Sequence, residues 1–162
     1  MTEDATYERD LYEVEMDICY YAQLYGLHER LYARMDKAIK VIEIIAGSGA
    51  FYAVTVGKPG VTQLCALVVA TAATISLVFD FSGRAREMRT AIRNYLDLVP
   101  ALNRKGVTVQ SMDEKLSKVG KDAPTIIDAL RKPAYNQNVN SKGRYSCVLP
   151  LSWWEQVMKS VA

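Results

Sequence analysis

The chain has 162 residues and a formal net charge of +2, and half of its residues are hydrophobic. The length suits one domain, and so small a charge excludes nucleic acid as an expected partner. The cysteines show no metal-ligand spacing, so we expect reduced thiols facing a cytoplasm and predict no metal or other cofactor. They are Cys19, Cys65 and Cys147. The mean hydropathy of −0.03 averages a very apolar middle and charged ends.

The first predicted element is one long helix from Asp4 to about Lys37. Its apolar residues step by four and three, which is the 3.5-residue period of a heptad seam. The seam consists of Tyr7, Leu11, Val14, Ile18, Tyr21, Tyr25, His28, Tyr32, Met35 and Ile39. Leu24, Leu27 and Leu31 widen the apolar face, so the helix needs a partner from this chain or another copy. The lone histidine has no metal-like neighbours, which predicts a packed, hydrogen-bonded side chain.

The stretch Val61–Phe79 is uncharged and predicts a helix about 28 Å long, close to the ~30 Å hydrocarbon core of a bilayer. A second apolar stretch, Ile44–Val56, precedes it, and Gly57-Lys58-Pro59-Gly60 between them suits a type II turn. We therefore predict a transmembrane hairpin at 38–82, with spans at about 39–56 and 61–80. Without a visible signal peptide, the hairpin itself is the expected insertion signal. The alternative is a buried hairpin in a soluble bundle.

The charges flanking the hairpin predict its orientation. Four basic residues precede it and four follow it, whereas the turn holds only Lys58. They are Arg30, Arg34, Lys37 and Lys40 before the hairpin, and Arg84, Arg86, Arg89 and Arg93 after it. The positive-inside rule then places both termini in the cytoplasm. The four arginines that follow are also expected to contact lipid headgroups.

Ionisable and small residues within the spans suggest two kinds of contact. Lys40 and Glu43 are one helical turn apart; either they pair, or a ring of Glu43 from several copies lines the cytoplasmic mouth of a pore. Ser48 is a further polar candidate at membrane depth. Small residues favour hairpin closure, self-association or both. These helix-packing candidates are Gly47, Gly49, Ala53, Ala66, Ala70 and Ser76.

A second seam follows the hairpin at 83–104 and pairs with the first in an antiparallel cytoplasmic coiled coil, ended or kinked at Pro100. It comprises Ala85, Met88, Ile92, Tyr95, Val99 and Leu102. The fold class is thus an all-α membrane protein: an N-terminal helix at 1–37, the hairpin, this helix, and short helices at 105–162.

The C-terminal region has weaker signals. Capping and proline positions predict helices at Met112–Val119, after Ser111, and at Thr125–Lys132, with a loop or frayed helix at Asn136–Gly143. Ser152 and Glu155 form a capping box for a last amphipathic helix, whose apolar face is Leu151, Trp154, Val157, Met158 and Val161. Its Trp153 and Trp154 are headgroup candidates: the helix either lies on the membrane or docks on the coiled coil.

The layout resembles the SLATT family of bacterial two-transmembrane proteins. The resemblance spans roughly Tyr20 to Gln137 and rests on three segments. They read HERLYARMDKAIKVIEIIAGSGAFYAV, TISLVFDFSGRAREMRTAIRNYLDLV and DAPTIIDALRKPAYNQ. This resemblance implies a pore-forming or membrane-disrupting effector of bacterial conflict and antiphage systems, at the inner membrane. It also implies a trigger, which would come from a cytoplasmic protein or nucleotide-signalling partner or from the small C-terminal region.

The sequence is therefore consistent with two functions. The first is an oligomeric inner-membrane effector that forms or gates a pore, for which lipid and further copies of the chain are the partners. The alternative is a non-conducting, membrane-anchored adaptor that recruits a cytoplasmic partner through its helical seams. An enzyme is not expected, because the chain lacks H-E-x-x-H, C-x-x-C, a P-loop and G-x-G-x-x-G and shows no convergent acid-base pair.

Overall fold

The computed structural model confirms an all-α fold. It describes residues 9–104 and 106–162, which form helices, turns and loops without a β-strand. The predicted helix start at Asp4 and the seam residue Tyr7 lie outside the described residues. The α-helices are α1 Leu11–Thr55, α2 Pro59–Phe79, α3 Phe81–Leu96, α4 Val99–Leu102, α5 Val109–Lys121, α6 Arg131–Ser141 and α7 Trp153–Val161. Two 3₁₀ turns, Asp128–Leu130 and Tyr145–Cys147, flank α6.

The predicted end or kink at Pro100 is confirmed: α3 ends at Leu96 and the separate α4 covers Val99–Leu102, because the ring of Pro100 clashes with the carbonyl four residues earlier. Two local predictions were wrong. The cap of α5 is Thr108, whose Oγ1 accepts from Ser111 N at 3.3 Å, and not Ser111 itself. The segment Thr125–Lys132 is not one helix but contains a 3₁₀ turn and the first two residues of α6. Of the predicted loop or frayed helix at 136–143, residues 136–141 belong to α6.

The connection between α1 and α2 also differs from the predicted type II turn. That turn needs a positive φ at Gly60, but the left-handed residue is Gly57, with φ +70°. Lys58 N donates to Ala53 O at 2.8 Å, and Gly57 N donates to Val54 O at 3.2 Å. These two bonds are a Schellman closure of α1, after which Pro59 opens α2 directly.

The chain divides into two compact units. The helical unit takes the described residues up to His28 together with Glu87–Ser160, and the hairpin unit takes Glu29–Arg86 with Val161–Ala162.

The core of the helical unit is built from the N-terminal part of α1. Val14, Ile18 and Leu24 have no exposed surface, and Leu27 is 4% exposed, so the flanking leucines are as buried as the seam. Met112 from α5 and Leu130 complete this core. A face this wide needs several neighbours, which the short C-terminal helices supply within the same chain.

The two predicted seams meet through tyrosines. The Tyr95 ring of α3 stacks on those of Tyr21 and Tyr25, with centroids 5.0 and 5.6 Å apart. Burial raises the pKa of Tyr95 and of Tyr25. The middle of each seam is therefore covered within one chain, whereas Met35 near the end of the first seam is 37% exposed. A supercoiled pairing along the length of the seams stays a prediction.

His28 ties α1 to the segment before α6. Its side chain is fully buried; Nδ1 lies 2.7 Å from Leu24 O, and Nε2 accepts from Ile127 N at 2.7 Å. The accepting nitrogen requires a neutral ring that carries its proton on Nδ1. Burial lowers the pKa of His28, which keeps the ring neutral. The predicted packed, hydrogen-bonded histidine is confirmed.

Buried asparagines explain why α6 is an ordered helix where a loop or frayed helix was predicted. Asn136 Nδ2 donates to Leu149 O at 2.7 Å, and Leu149 N donates back to Asn136 Oδ1 at 2.8 Å. Asn138 Nδ2 donates to Met16 O at 3.0 Å. Pro133 falls in the first turn of α6, where its missing N–H is tolerated.

Candidate membrane-spanning hairpin

The hairpin unit exposes most of its apolar surface. α1 and the helical run from Pro59 are both long and apolar enough to cross a membrane, and only 11% of each apolar window is buried. A core helix of a soluble protein passes the same test of length and composition, but it is mostly buried. The exposed large side chains include Val41, Ile42, Ile44, Ile45, Phe51, Tyr52, Val54, Leu64, Leu67, Leu77, Val78 and Phe79.

The two helices face each other along a stripe of mostly small residues. The less exposed positions recur every three or four residues on both helices. They are Ile39, Glu43, Ala46, Gly49 with its neighbour Ala50, and Ala53 on α1, and Thr62, Cys65, Val69, Ala72 and Ser76 on α2. A Cβ added at Gly49 would lie 3.3 Å from Cys65 Sγ, so glycine allows the helices to approach there.

The helix-packing candidates separate into two groups. Gly49, Ala53 and Ser76 lie on the stripe between the helices, and Ala53 is 1% exposed. The others, Gly47, Ala66 and Ala70, are exposed. Small residues therefore close the hairpin, and a second set remains on its outer surface.

The predicted Lys40–Glu43 pair is wrong. Lys40 Nζ instead contacts Asp36 Oδ2 at 2.6 Å, because that carboxylate lies four residues earlier on the same helix face. Glu43 is half-buried and has no ion pair or hydrogen bond from its side chain among the residues that the structure describes. Ser48 is exposed on the outer surface.

The level of Glu43 along the hairpin follows from the Gly49–Cys65 contact. Glu43 precedes Gly49 by six residues and Ala72 follows Cys65 by seven, so both lie about 10 Å from that contact in the same direction. Ala72 is 7% exposed and offers no polar side chain. The carboxylate thus lies on the mostly apolar stripe between α1 and α2, where an ionised group is unfavourable without a partner or water.

The junction after α2 is a feature that the sequence reading missed. Asp80 adopts a left-handed conformation, φ 39° and ψ 57°, and its carboxylate accepts from Gly83 N at 3.0 Å. A Cβ at Gly83 would lie 2.0 Å from Asp80 Oδ2, so a larger residue there would displace this carboxylate. Arg84 Nε donates to Phe79 O at 3.0 Å across the break. The sequence signal that could have predicted this break is an Asp three residues before a Gly at the end of an apolar run, because Asp is a preferred residue at the start of a helix.

The headgroup candidates are all exposed. Arg84, Arg86, Arg89 and Arg93 have exposed side chains, as have Trp153 and Trp154 in α7. Arg86 and Arg89 also take part in interactions with other residues.

The helical unit carries an open groove of about 490 Å³ beside the tyrosine stack. Its charges already contact one another: Arg9 pairs with Asp17 and lies 2.7 Å from Asp113 Oδ1. Burial raises the pKa of Asp17, an effect that the Arg9 charge opposes. Among the described residues, no group of three or more histidines, cysteines or carboxylates is placed to hold a metal ion.

Comparison of the sequence with protein-family models, curated proteins and solved structures gives no match.

Proposed function

We propose that the chain inserts into a membrane as a helical hairpin with both termini in the cytoplasm, and that several copies form an effector that opens or gates a pore. The observation that carries this proposal is the exposed apolar surface of the hairpin unit, within which Glu43 has no ion pair or hydrogen bond from its side chain to another described residue.

The exposed surface supports insertion on energetic grounds. Leu77 is 83% exposed, Phe51 75% and Ile44 68%. Taking a large apolar side chain out of water is worth roughly 1.5–3 kcal/mol, so a surface made of many of them requires lipid or protein cover. The helices are also of the right length for a bilayer. In addition, Thr71 and Thr74 satisfy their hydroxyls on the carbonyls of Leu67 and Ala70, each at 2.8 Å.

The basic residues support the orientation. Arginines and lysines lie before α1 becomes apolar and directly after Asp80, whereas the connection between the helices carries only Lys58. The positive-inside rule then assigns the connection to the outside.

Glu43 and the outer small residues support assembly into a pore. An ionisable side chain at membrane depth usually faces a bundle interior or a water-filled path. The exposed Gly47, Ala66 and Ala70 allow close approach of helices from other copies. The resemblance to SLATT proteins adds a context, namely the bacterial inner membrane, conflict or antiphage defence, and a cytoplasmic protein or nucleotide-signalling trigger.

Reconstitution in dye-loaded liposomes tests the proposal. Leakage and single-channel current are measured for the purified protein, for Glu43→Gln, and for the matched control Glu114→Gln, which changes an exposed carboxylate on α5. We expect leakage that is lost or altered in Glu43→Gln and unchanged in Glu114→Gln. Equal behaviour of all three proteins would remove Glu43 from the conducting path.

The adaptor remains the second candidate, and one observation weighs against its proposed mode. Val14, Ile18 and Tyr95 of the two seams are buried within the chain, so the seams are not free to recruit a partner. Vesicles that stay sealed while carrying fully inserted protein would nevertheless favour the adaptor, with recruitment through another surface.

A further inference from the structure

α7 has apolar side chains on two sides. Leu151, Met158 and Ala162 lie on its inner side, half-buried or buried. A second, adjacent apolar stripe, which we call the outer stripe, is exposed. It comprises Trp153, Trp154, Val157 and Val161, which are 74%, 51%, 41% and 43% exposed. The outer face of a helix on a soluble domain is normally polar, so an exposed apolar stripe indicates contact with another molecule or with a membrane.

The outer stripe is held in place by specific bonds. Ser152 N donates to Glu155 Oε2 at 2.7 Å and Glu155 N donates to Ser152 Oγ at 3.3 Å, which confirms the predicted capping box. Lys132 Nζ lies 3.1 Å from Glu155 Oε1. The paired bonds between Asn136 and Leu149 fix the segment that leads into α7. The exposed tryptophans therefore belong to an ordered helix.

The last residues of the chain contact α1 close to its apolar surface. Arg34 Nη1 donates to Val161 O at 2.8 Å, and Ala162 is 4% exposed. Arg34 precedes Val41, where the exposed apolar surface of α1 begins, by seven residues, or about 10 Å of helix. Val161, the last residue of α7 and part of the hairpin unit, thus lies about two turns from the expected edge of the hydrocarbon layer.

We propose that α7 is an interfacial anchor, whose outer stripe lies in the headgroup region of the cytoplasmic leaflet. Tryptophan suits that layer because its ring is apolar and its N–H still finds a polar partner. A short apolar stripe beside polar Gln156, Lys159 and Ser160 is the pattern of a helix that lies in the membrane plane. This anchor rests on the proposed membrane insertion of the hairpin and adds a second, peripheral contact to it.

The tryptophans report on the outer stripe directly, because the chain has only these two. The full-length protein is reconstituted in phosphatidylcholine vesicles whose acyl chains carry bromine either near the headgroups or near the bilayer centre. We expect bromine to quench the fluorescence, more strongly from the shallow position. Trp154→Phe and Trp153→Phe isolate each ring, and the more exposed Trp153 is expected to show the larger quenching.

Insertion of the hairpin is measured in the same vesicles through Cys65, with Cys19 and Cys147 replaced by serine. Protection of Cys65 from a water-soluble maleimide reports insertion. A protected Cys65 with tryptophans that bromolipid does not quench would overturn the anchor alone, whether water or a second copy covers the stripe. A labelled Cys65 with quenched tryptophans would keep the anchor and overturn the hairpin. A labelled Cys65 without quenching would overturn both.

Discussion

The helical unit and the apolar part of the hairpin unit, residues 39–79, bury opposite kinds of side chain, although α1 contributes to both. The helical unit encloses large residues such as Leu24, Met112 and Leu130, all fully buried. Between residues 39 and 79 the buried residues are the small Ala53 and Ala72, and most of the large side chains are exposed. The first pattern suits water, where apolar burial drives packing, and the second suits lipid, where close contact replaces it.

The largest effect that tests this contrast is expected from a matched pair of leucines. Leu24→Ala removes a fully buried side chain, so we expect a loss of about 2–5 kcal/mol in the free energy of unfolding. Leu77→Ala changes a residue that is 83% exposed and should stay within about 0.5 kcal/mol. Denaturant unfolding in nanodiscs, followed by circular dichroism, measures both. Comparable losses would show that the outer face of the hairpin is packed against protein.

A smaller effect is expected where polar groups hold the helical unit together. Asn136→Leu removes the amide that donates to Leu149 O and accepts from Leu149 N at a part-buried site, which should destabilise the unit by about 1–3 kcal/mol. Asn94→Leu on the exposed side of α3 is the control and should be near neutral. If both variants unfold at the same denaturant concentration, the asparagine does not fix this segment.

Within the hairpin unit, the junction at Asp80 should behave as one coupled element. Asp80→Ala removes the cap on Gly83 N and is expected to destabilise by about 0.5–2 kcal/mol. Gly83→Ala drives a methyl group into the same carboxylate, so it should displace that cap. The double variant should therefore lose less than the sum of the single variants. Strict additivity in a thermal unfolding series would contradict the coupling.

The smallest expected effect is a pH dependence of the free energy of unfolding, which we attribute to His28 in the helical unit. Burial lowers the pKa of His28, so the unfolded state takes up a proton first as the pH falls. The contribution of His28 to the free energy of unfolding is fully present above the ordinary histidine pKa of about 6.5. As the pH falls further, this contribution declines by up to about 1.4 kcal/mol per pH unit, until the pH is below the pKa of the folded state. His28→Gln should remove this pH-dependent part. An unchanged slope between pH 7 and 5 would assign the dependence to other groups.

The sequence predicted the helices whose patterns are long, and it failed where distant contacts decide. The uncharged run Val61–Phe79 and the spacing of Val14, Ile18 and Tyr25 were sufficient for α2 and for the seam of α1. Periodicity did not predict α6, because its buried asparagines bond to the backbone of Leu149 and Met16, and the latter is 122 residues away from Asn138.

The candidate site was predicted in part. Small residues at Gly49, Ala53 and Ser76 identified the hairpin contact, but composition gave no reason to place Gly47, Ala66 and Ala70 on the outside. The predicted Lys40–Glu43 pair was wrong because the helix places two carboxylates within reach of Lys40, one before it and one after it. Lys40 contacts the earlier one, Asp36. The left-handed conformation of Asp80 is a property of the backbone that residue identity alone does not specify.

The short closure at Gly57 and Lys58 has a thermodynamic consequence for the proposed membrane insertion. Because the N–H groups of these two residues are bonded to Val54 O and Ala53 O, they need no further partner at the tip, and the charged group to be dehydrated there is the Lys58 ammonium. That penalty is about 2.5–3.5 kcal/mol at the worst depth, whereas each leucine, isoleucine, phenylalanine or valine returns roughly 0.3–0.6 kcal/mol. About eight of these residues are enough to offset the ammonium, so in the proposed insertion the two helices can cross together as one unit.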